Sequence, residues 1–188
     1  MTKSPGKPEA HSDSGRDVRS GTKVFAELYK QFMPRVFRYI SYQVGDVHLA
    51  EDLTSEVFEK ALTGFGSYRS DKASFFTWLM SIARHTVIDH YRASRRGQTI
   101  PLEEAAELSS KSASPEEEAI RKEELQRLQT YLAELPQQER EIISLKFGAE
   151  LTNRQIAGML SLSESNVGTI LYRTVRKLRN SFGEWQDG

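Results

Sequence analysis

Apolar side chains recur along the first half of the chain at helical spacing. Val24, Phe25, Leu28, Tyr29 and Phe32 form one stripe. Pro34 interrupts it, and Val36, Phe37 and Ile40 resume it, which predicts a kinked helix or two helices meeting at Pro34. The "VGD" at 44–46 ends that element and sets Asp46 as the cap of the next. Leu49, Leu53, Val57, Phe58, Ala61 and Leu62 then make a second apolar face. The Gly, Ser and Asp content of "GFGSYRSDKAS" (64–74) predicts a loop. Ser74 is placed as the N-cap of a long helix with Phe75, Trp78, Leu79, Ile82 and Val87 on its buried side. Residues 22–96 thus read as an all-helical bundle with its own core.

The pattern then fades. Residues 97–114 are acidic and Ser-rich with little periodicity, and read as a flexible linker. "SPEE" at 114–117 opens a helix, with Ser114 as N-cap, Pro115 at the first helical position and Glu117 completing a capping box. That helix runs to about Leu135. Another spans roughly 137–147 and stops at Gly148, read as a left-handed C-cap. A second all-helical unit therefore covers 115–182. Residues 1–21 (Ser, Gly, Pro and Lys) and 183–188 read as tails, the first as disordered.

Inside the second unit, "LTNRQIAGMLSLSESNVGTIL" (151–171) holds two helix starts about eleven residues apart. Thr152 with Gln155 is a capping box, and Ser163 is the next N-cap, with Glu164 favourable to the helix dipole. A link of only Ser161 and Leu162 forces a steep crossing. Ala157 is the small residue at the approach, and Ile156, Leu160, Leu162, Val167 and Ile170 fit the corner. This is a helix-turn-helix pattern, whose second helix enters a DNA major groove by its N-terminal half. Its outward face offers Ser165, Asn166, Thr169, Tyr172 and Arg173, and continues through Arg176 and Lys177 in "RTVRKLR". Asn pairs bidentately with adenine, and Arg with guanine or phosphate. A plain helical hairpin with a solvated basic end has the same pattern.

Charge changes the picture only when taken locally. The whole chain is neutral, yet residues 25–96 are net +2, 97–135 net −5 and 136–180 net +3. Footprints on nucleic acid are local, so the neutral sum does not exclude one. With no cysteine, disulfides and zinc–thiolate sites are excluded. No apolar run approaches the roughly 18 residues a membrane span needs, and the N-terminus lacks the apolar core of a secretory signal. A cytoplasmic protein with no membrane insertion of its own is expected.

Taken together, three segments in this order resemble the extracytoplasmic-function (ECF) sigma factors of bacterial RNA polymerase. "AEDLTSEVFEKAL" (50–62) resembles the family helix that grips the β′ coiled coil. "FFTWLMSIARHTVIDHYRASRR" (75–96) resembles the helix that melts and reads the −10 element. "LPQQEREIISLKF" (135–147) with the helix-turn-helix resembles the domain that docks on the β flap and reads the −35 element. The resemblance implies two small helical domains, sigma-2-like (22–96) and sigma-4-like (115–182), joined by the acidic linker. It implies binding to core polymerase through Asp52, Ser55 and Glu56. It implies −10 contacts from Tyr68, Arg69, Lys72, Arg84, His85, Tyr91, Arg92, Arg95 and Arg96, with the 64–74 loop cupping a flipped base. It implies −35 contacts from Ser165, Asn166, Thr169, Tyr172, Arg173, Arg176 and Lys177. An anti-sigma partner is also implied, as is a linker that threads toward the polymerase cleft. The sequence departs from the family at Ser55, often Gln, and at Gly168 and Ile170, often basic.

Read from residues alone, Asp52 and Glu56 at i and i+4 on one helix face repel mildly and so suit a basic partner surface. Enzyme readings fail on inventory. The four histidines show no metal-ligand spacing, and there is no P-loop, Rossmann glycine pattern or nucleophile elbow. No cofactor, metal or catalytic residue is expected. The rival readings are a stand-alone helix-turn-helix regulator, with residues 22–96 as an effector or dimerisation domain, and a helical adaptor. The adaptor leaves the basic 173–179 run unexplained.

Overall fold

The computed structural model describes residues 14–95 and 115–183. Among them every regular element is helical: α1 Ser14–Val44, α2 Val47–Gly64, α3 Phe75–Arg95, α4 Pro115–Glu134, α5 Gln137–Ile143, α6 Asn153–Leu160 and α7 Glu164–Gly183. The expected linker, Ser114 and the 184–188 tail lie outside the described residues. So do residues 1–13. By internal contacts the chain divides within α1, into a unit ending at Gln31 and one beginning at Phe32. All the site residues belong to the second.

At α1 one expectation is corrected and one alternative is resolved. The helix starts at Ser14, inside the stretch read as a disordered tail. Once a helix is nucleated, each further residue adds one hydrogen bond, so a weakly apolar flank extends it. Of the two readings at Pro34, the single helix stands: α1 runs through it. Gly45, at φ +71, then turns the chain, and Asp46 accepts a hydrogen bond from Leu49 N at 2.7 Å as the cap of α2.

The first core is made where α2 lies along α3. Leu53, Val57, Phe58 and Ala61 of α2 meet Phe76, Leu79, Met80, Ala83 and Val87 of α3, with Val36 and Ile40 of α1 also buried. Ser74 caps α3 as expected, its Oγ accepting from Thr77 N at 3.2 Å. The second core gathers Leu132, Ile142, Ile143, Leu145, Leu151, Ile156 and Val167.

The end of α5 differs from expectation. The helix widens into a π-turn over Ser144–Gly148, and the left-handed residue that follows is Glu150, at φ 57. Gly148 is needed for another reason. A Cβ there would lie 2.9 Å from Tyr39 Cα and N, so only glycine lets the two backbones approach this closely.

Candidate nucleic-acid interface

The helix-turn-helix is built as its sequence dictates. Thr152 N donates to Gln155 Oε1 at 2.9 Å and Gln155 N donates to Thr152 Oγ1 at 3.3 Å, closing the capping box of α6. Ser161 is left-handed, and Leu162 N donates to Ala157 O at 2.9 Å. Ser163 Oγ then accepts from Asn166 N at 3.1 Å and starts α7. Ile156, Ala157 and Val167 are buried in the corner, while Leu160, Leu162 and Ile170 are half-buried. Leu171 and Thr174 are also buried, though the periodicity did not single them out.

One face of α7 is left open. Ser165, Asn166, Thr169, Tyr172, Arg173, Arg176 and Lys177 are all exposed. Two have internal bonds. Thr169 Oγ1 donates to Ser165 O at 3.0 Å, and Lys177 Nζ lies 3.0 Å from both carboxylate oxygens of Glu139. Glu139 also accepts from Thr174 Oγ1 at 3.1 Å. This acid on α5 therefore fixes the roll of α7 and holds Lys177 back from the open face.

Around the 64–74 loop the aromatic residues do what polarity concealed. Tyr68, in the loop expected to cup a flipped base, is half-buried. Its ring packs edge-on to Phe75 at 5.6 Å and against Trp78 at 5.3 Å, and its hydroxyl donates to Ala73 O at 2.9 Å. Phe65 stacks on the Tyr68 ring at 6.5 Å as well. Arg69 pairs with Asp71 at 3.0 Å, and that hydrogen bond holds the Asp71 carboxyl below its ordinary value. Lys72 is exposed.

The expected −10 residues of α3 separate onto two faces. His85, Arg92 and Arg95 are exposed, with Arg92 3.5 Å from Asp89. Arg96 lies outside the described residues. Arg84 and Tyr91, seven apart and so on one face, are half-buried and bonded within the chain, unlike His85, Arg92 and Arg95. Arg84 Nε sits 3.3 Å from Glu141 Oε1, and the Tyr91 hydroxyl donates to Gln43 O. Glu141 also accepts from Tyr39 OH at 3.0 Å. Burial raises the Glu141 carboxyl above its usual range, with Tyr39 and Arg84 pulling the other way.

On α2, Asp52, Ser55 and Glu56 are exposed. The like-charged pair is modified, because Glu56 lies 2.6 Å from Lys60. Ser55 Oγ is turned back onto Glu51 O at 3.0 Å. Among the described residues, no cluster of three His, Asp or Glu side chains is arranged to hold a metal ion, and no helix is long and apolar enough to cross a membrane.

Comparison with known proteins assigns both helical units. Residues 28–97 match the model of Sigma-70 region 2, and residues 125–178 match that of Sigma-70, region 4. The chain is 32% identical over 179 residues to the ECF RNA polymerase sigma factor BldN of Streptomyces coelicolor, covering 92% of this chain and 68% of that protein. It is 29% identical over 153 residues to ECF RNA polymerase sigma factor SigM of Bacillus subtilis, covering 81% of this chain and 91% of the relative. In fold it is similar to the sigma factor RpoE in its complex with the anti-sigma factor NepR from Bartonella quintana. The TM-score there is 0.67 at 18% identity, over 84% of this chain and 96% of that one. Two matched regions in chain order, on two helical cores, with relatives matched across most of both lengths, have one reading: the chain belongs to the ECF sigma factors of bacterial RNA polymerase, initiation factors that direct the polymerase to promoters.

Proposed function

We propose that residues 22–96 and 115–182 are the two working domains of this sigma factor, and that they divide the promoter between them. The carrying observation is the open face of α7, where Asn166, Thr169 and Arg173 stand exposed beyond a tight, doubly capped turn. That face reads the −35 element, with Tyr172 and Arg176 beside it. His85, Arg92, Arg95 and Lys72 follow the −10 backbone, where each neutralised phosphate adds salt-dependent affinity. Tyr68 acts within an aromatic wall with Trp78 rather than as a free side chain. Asp52 on α2 leads the contact with the polymerase β′ coiled coil, and the α5 region meets the β flap.

The chain works in the cytoplasm, without covalent chemistry of its own. The related RpoE bound to NepR makes an anti-sigma protein the natural antagonist here too. The acidic 97–114 segment threads toward the polymerase cleft. Reversing Asp52 and Glu56 to Lys tests the polymerase contact. Run-off transcription with core enzyme should be lost while helicity by circular dichroism is kept. Full transcription by the double variant sinks the assignment.

A further inference from the structure

The open face of α7 ends at an ion pair unlike its neighbours. Lys177 follows Arg176 by one residue, about 100° round the helix, at the edge where the exposed face gives way to the buried side. Its Nζ donates to both oxygens of Glu139, each at 3.0 Å, and Oε2 of the same carboxylate accepts from the Thr174 hydroxyl at 3.1 Å. Thr174 and Lys177, three apart, share one side of the helix, so Glu139 grips α7 at two successive points. Thr174 is fully buried. A buried hydroxyl keeps a partner, so the carboxylate cannot swing toward water without giving that bond up. Glu139 itself is largely covered, its side chain 23% exposed against 58% for Lys177. An ion pair between two fully exposed side chains is worth little. Here the acid is a fixed anchor, and only the lysine is able to leave. No carboxylate among the described residues pairs with Arg173 or Arg176, which stand exposed on the same helix.

We propose that Glu139 is a positioning residue for promoter recognition: it stands in for a DNA phosphate at Lys177 and so withholds one cation from the sequence-independent contacts of α7. The inference rests on the reading of α7 given under Proposed function. A carboxylate and a phosphate offer an ammonium group the same thing, anionic oxygens within hydrogen-bond reach. Lys177 has little to give a phosphate while Glu139 holds it, and the carboxylate's own charge repels a phosphate brought near. Each phosphate neutralised steepens the fall of affinity with salt by about 0.9 in logarithmic slope. Withholding one therefore lowers affinity for every duplex alike. The base contacts of Asn166 and Arg173 then make up a larger share of what holds α7 on DNA. The basic run at 173–179 offers DNA one cation fewer than its sequence counts.

The test is a cycle of Glu139→Gln, Lys177→Gln and the double variant in the full chain. Each is titrated onto a random-sequence duplex by fluorescence anisotropy between about 50 and 200 mM salt. Glutamine keeps the size of Glu139 and an acceptor for Thr174, and circular dichroism checks the fold of each variant. Glu139→Gln should tighten binding several-fold at low salt and steepen the slope by about 0.9. Lys177→Gln should cost little in the parent and several-fold in the Glu139→Gln background, where it returns the slope to the parent value. That inequality is the coupling a restraining pair requires. Equal effects of Lys177→Gln in both backgrounds overturn the proposal, because charges that act independently add. So does a slope that Glu139→Gln leaves unchanged, the result expected if Glu139 only holds α7 in place. Arg173→Ala, measured beside them, separates this inference from the reading it rests on. If Arg173→Ala weakens binding while the cycle shows no coupling, α7 meets DNA and Glu139 does not restrain it. If the cycle couples while Arg173→Ala changes nothing, Lys177 is restrained as proposed, and the role given to Arg173 is what fails.

Discussion

Two glycines in this chain should respond with opposite signs to the same substitution. A Cβ added at Gly148 would stand 2.9 Å from two backbone atoms of Tyr39 and 3.1 Å from Arg38 C, inside normal contact. These are backbone atoms of a long helix, with Tyr39 fully buried, so no side-chain rotation relieves the clash. Overpacking of this kind costs typically about 1–3 kcal/mol, and the entropy gained by replacing glycine returns about 0.5–1 kcal/mol. Gly148→Ala should therefore lose about 1–2 kcal/mol. At Gly158, within α6, a Cβ meets nothing within 4 Å. Gly158→Ala should gain about 0.5–1 kcal/mol. Urea unfolding followed by circular dichroism, with both variants beside the parent, reads the two shifts in midpoint. If both alanines stabilise, the close approach of Gly148 to Tyr39 does not exist in solution.

Three other outcomes are expected. Asn166→Ala and Arg173→Ala should weaken binding to duplex −35 DNA by about 1–3 kcal/mol each if the contacts are bidentate to bases, and equal loss on unrelated duplex would show phosphate contact instead. Tyr68→Phe removes only the bond to Ala73 O, whereas Tyr68→Ala empties a wall shared with Phe75 and Trp78; promoter opening, read by permanganate footprints, should survive the first and fail in the second, and normal footprints from the alanine variant would remove Tyr68 from melting. For Glu141, burial raises the folded carboxyl above its unfolded value, so its favourable contribution is full below the ordinary glutamate range and is lost as pH rises through the raised folded value; the parent should lose stability relative to Glu141→Gln across that window, and a parent that instead loses ground as pH falls would refute the sign.

What the sequence made legible was local. Caps at Asp46, Ser74, Thr152 and Ser163 depend on side chains reaching two or three residues along, so spacing alone reveals them. The corner of the helix-turn-helix was legible for the same reason, through Ile156, Ala157 and Val167. What stayed hidden depends on partners distant in the chain. Arg84 and His85 are adjacent and both basic, and nothing in their spacing tells that Glu141 draws one inward and leaves the other exposed. Gly148 was mistaken for a helix stop because a stop is the local reason for a glycine there, while the actual reason stands on Tyr39, more than a hundred residues earlier.

The same division bears on how such a chain is built. The contact of residues 35–39 with residues 141–150 includes arginines, a tyrosine and backbone carbonyls. An apolar contact of equal extent would hold the modules together by area, with no water-exposed group for a partner to compete for. A charged contact has such groups, and it weakens with salt. Arg38 and Glu150, both exposed, are the pair that salt should weaken first.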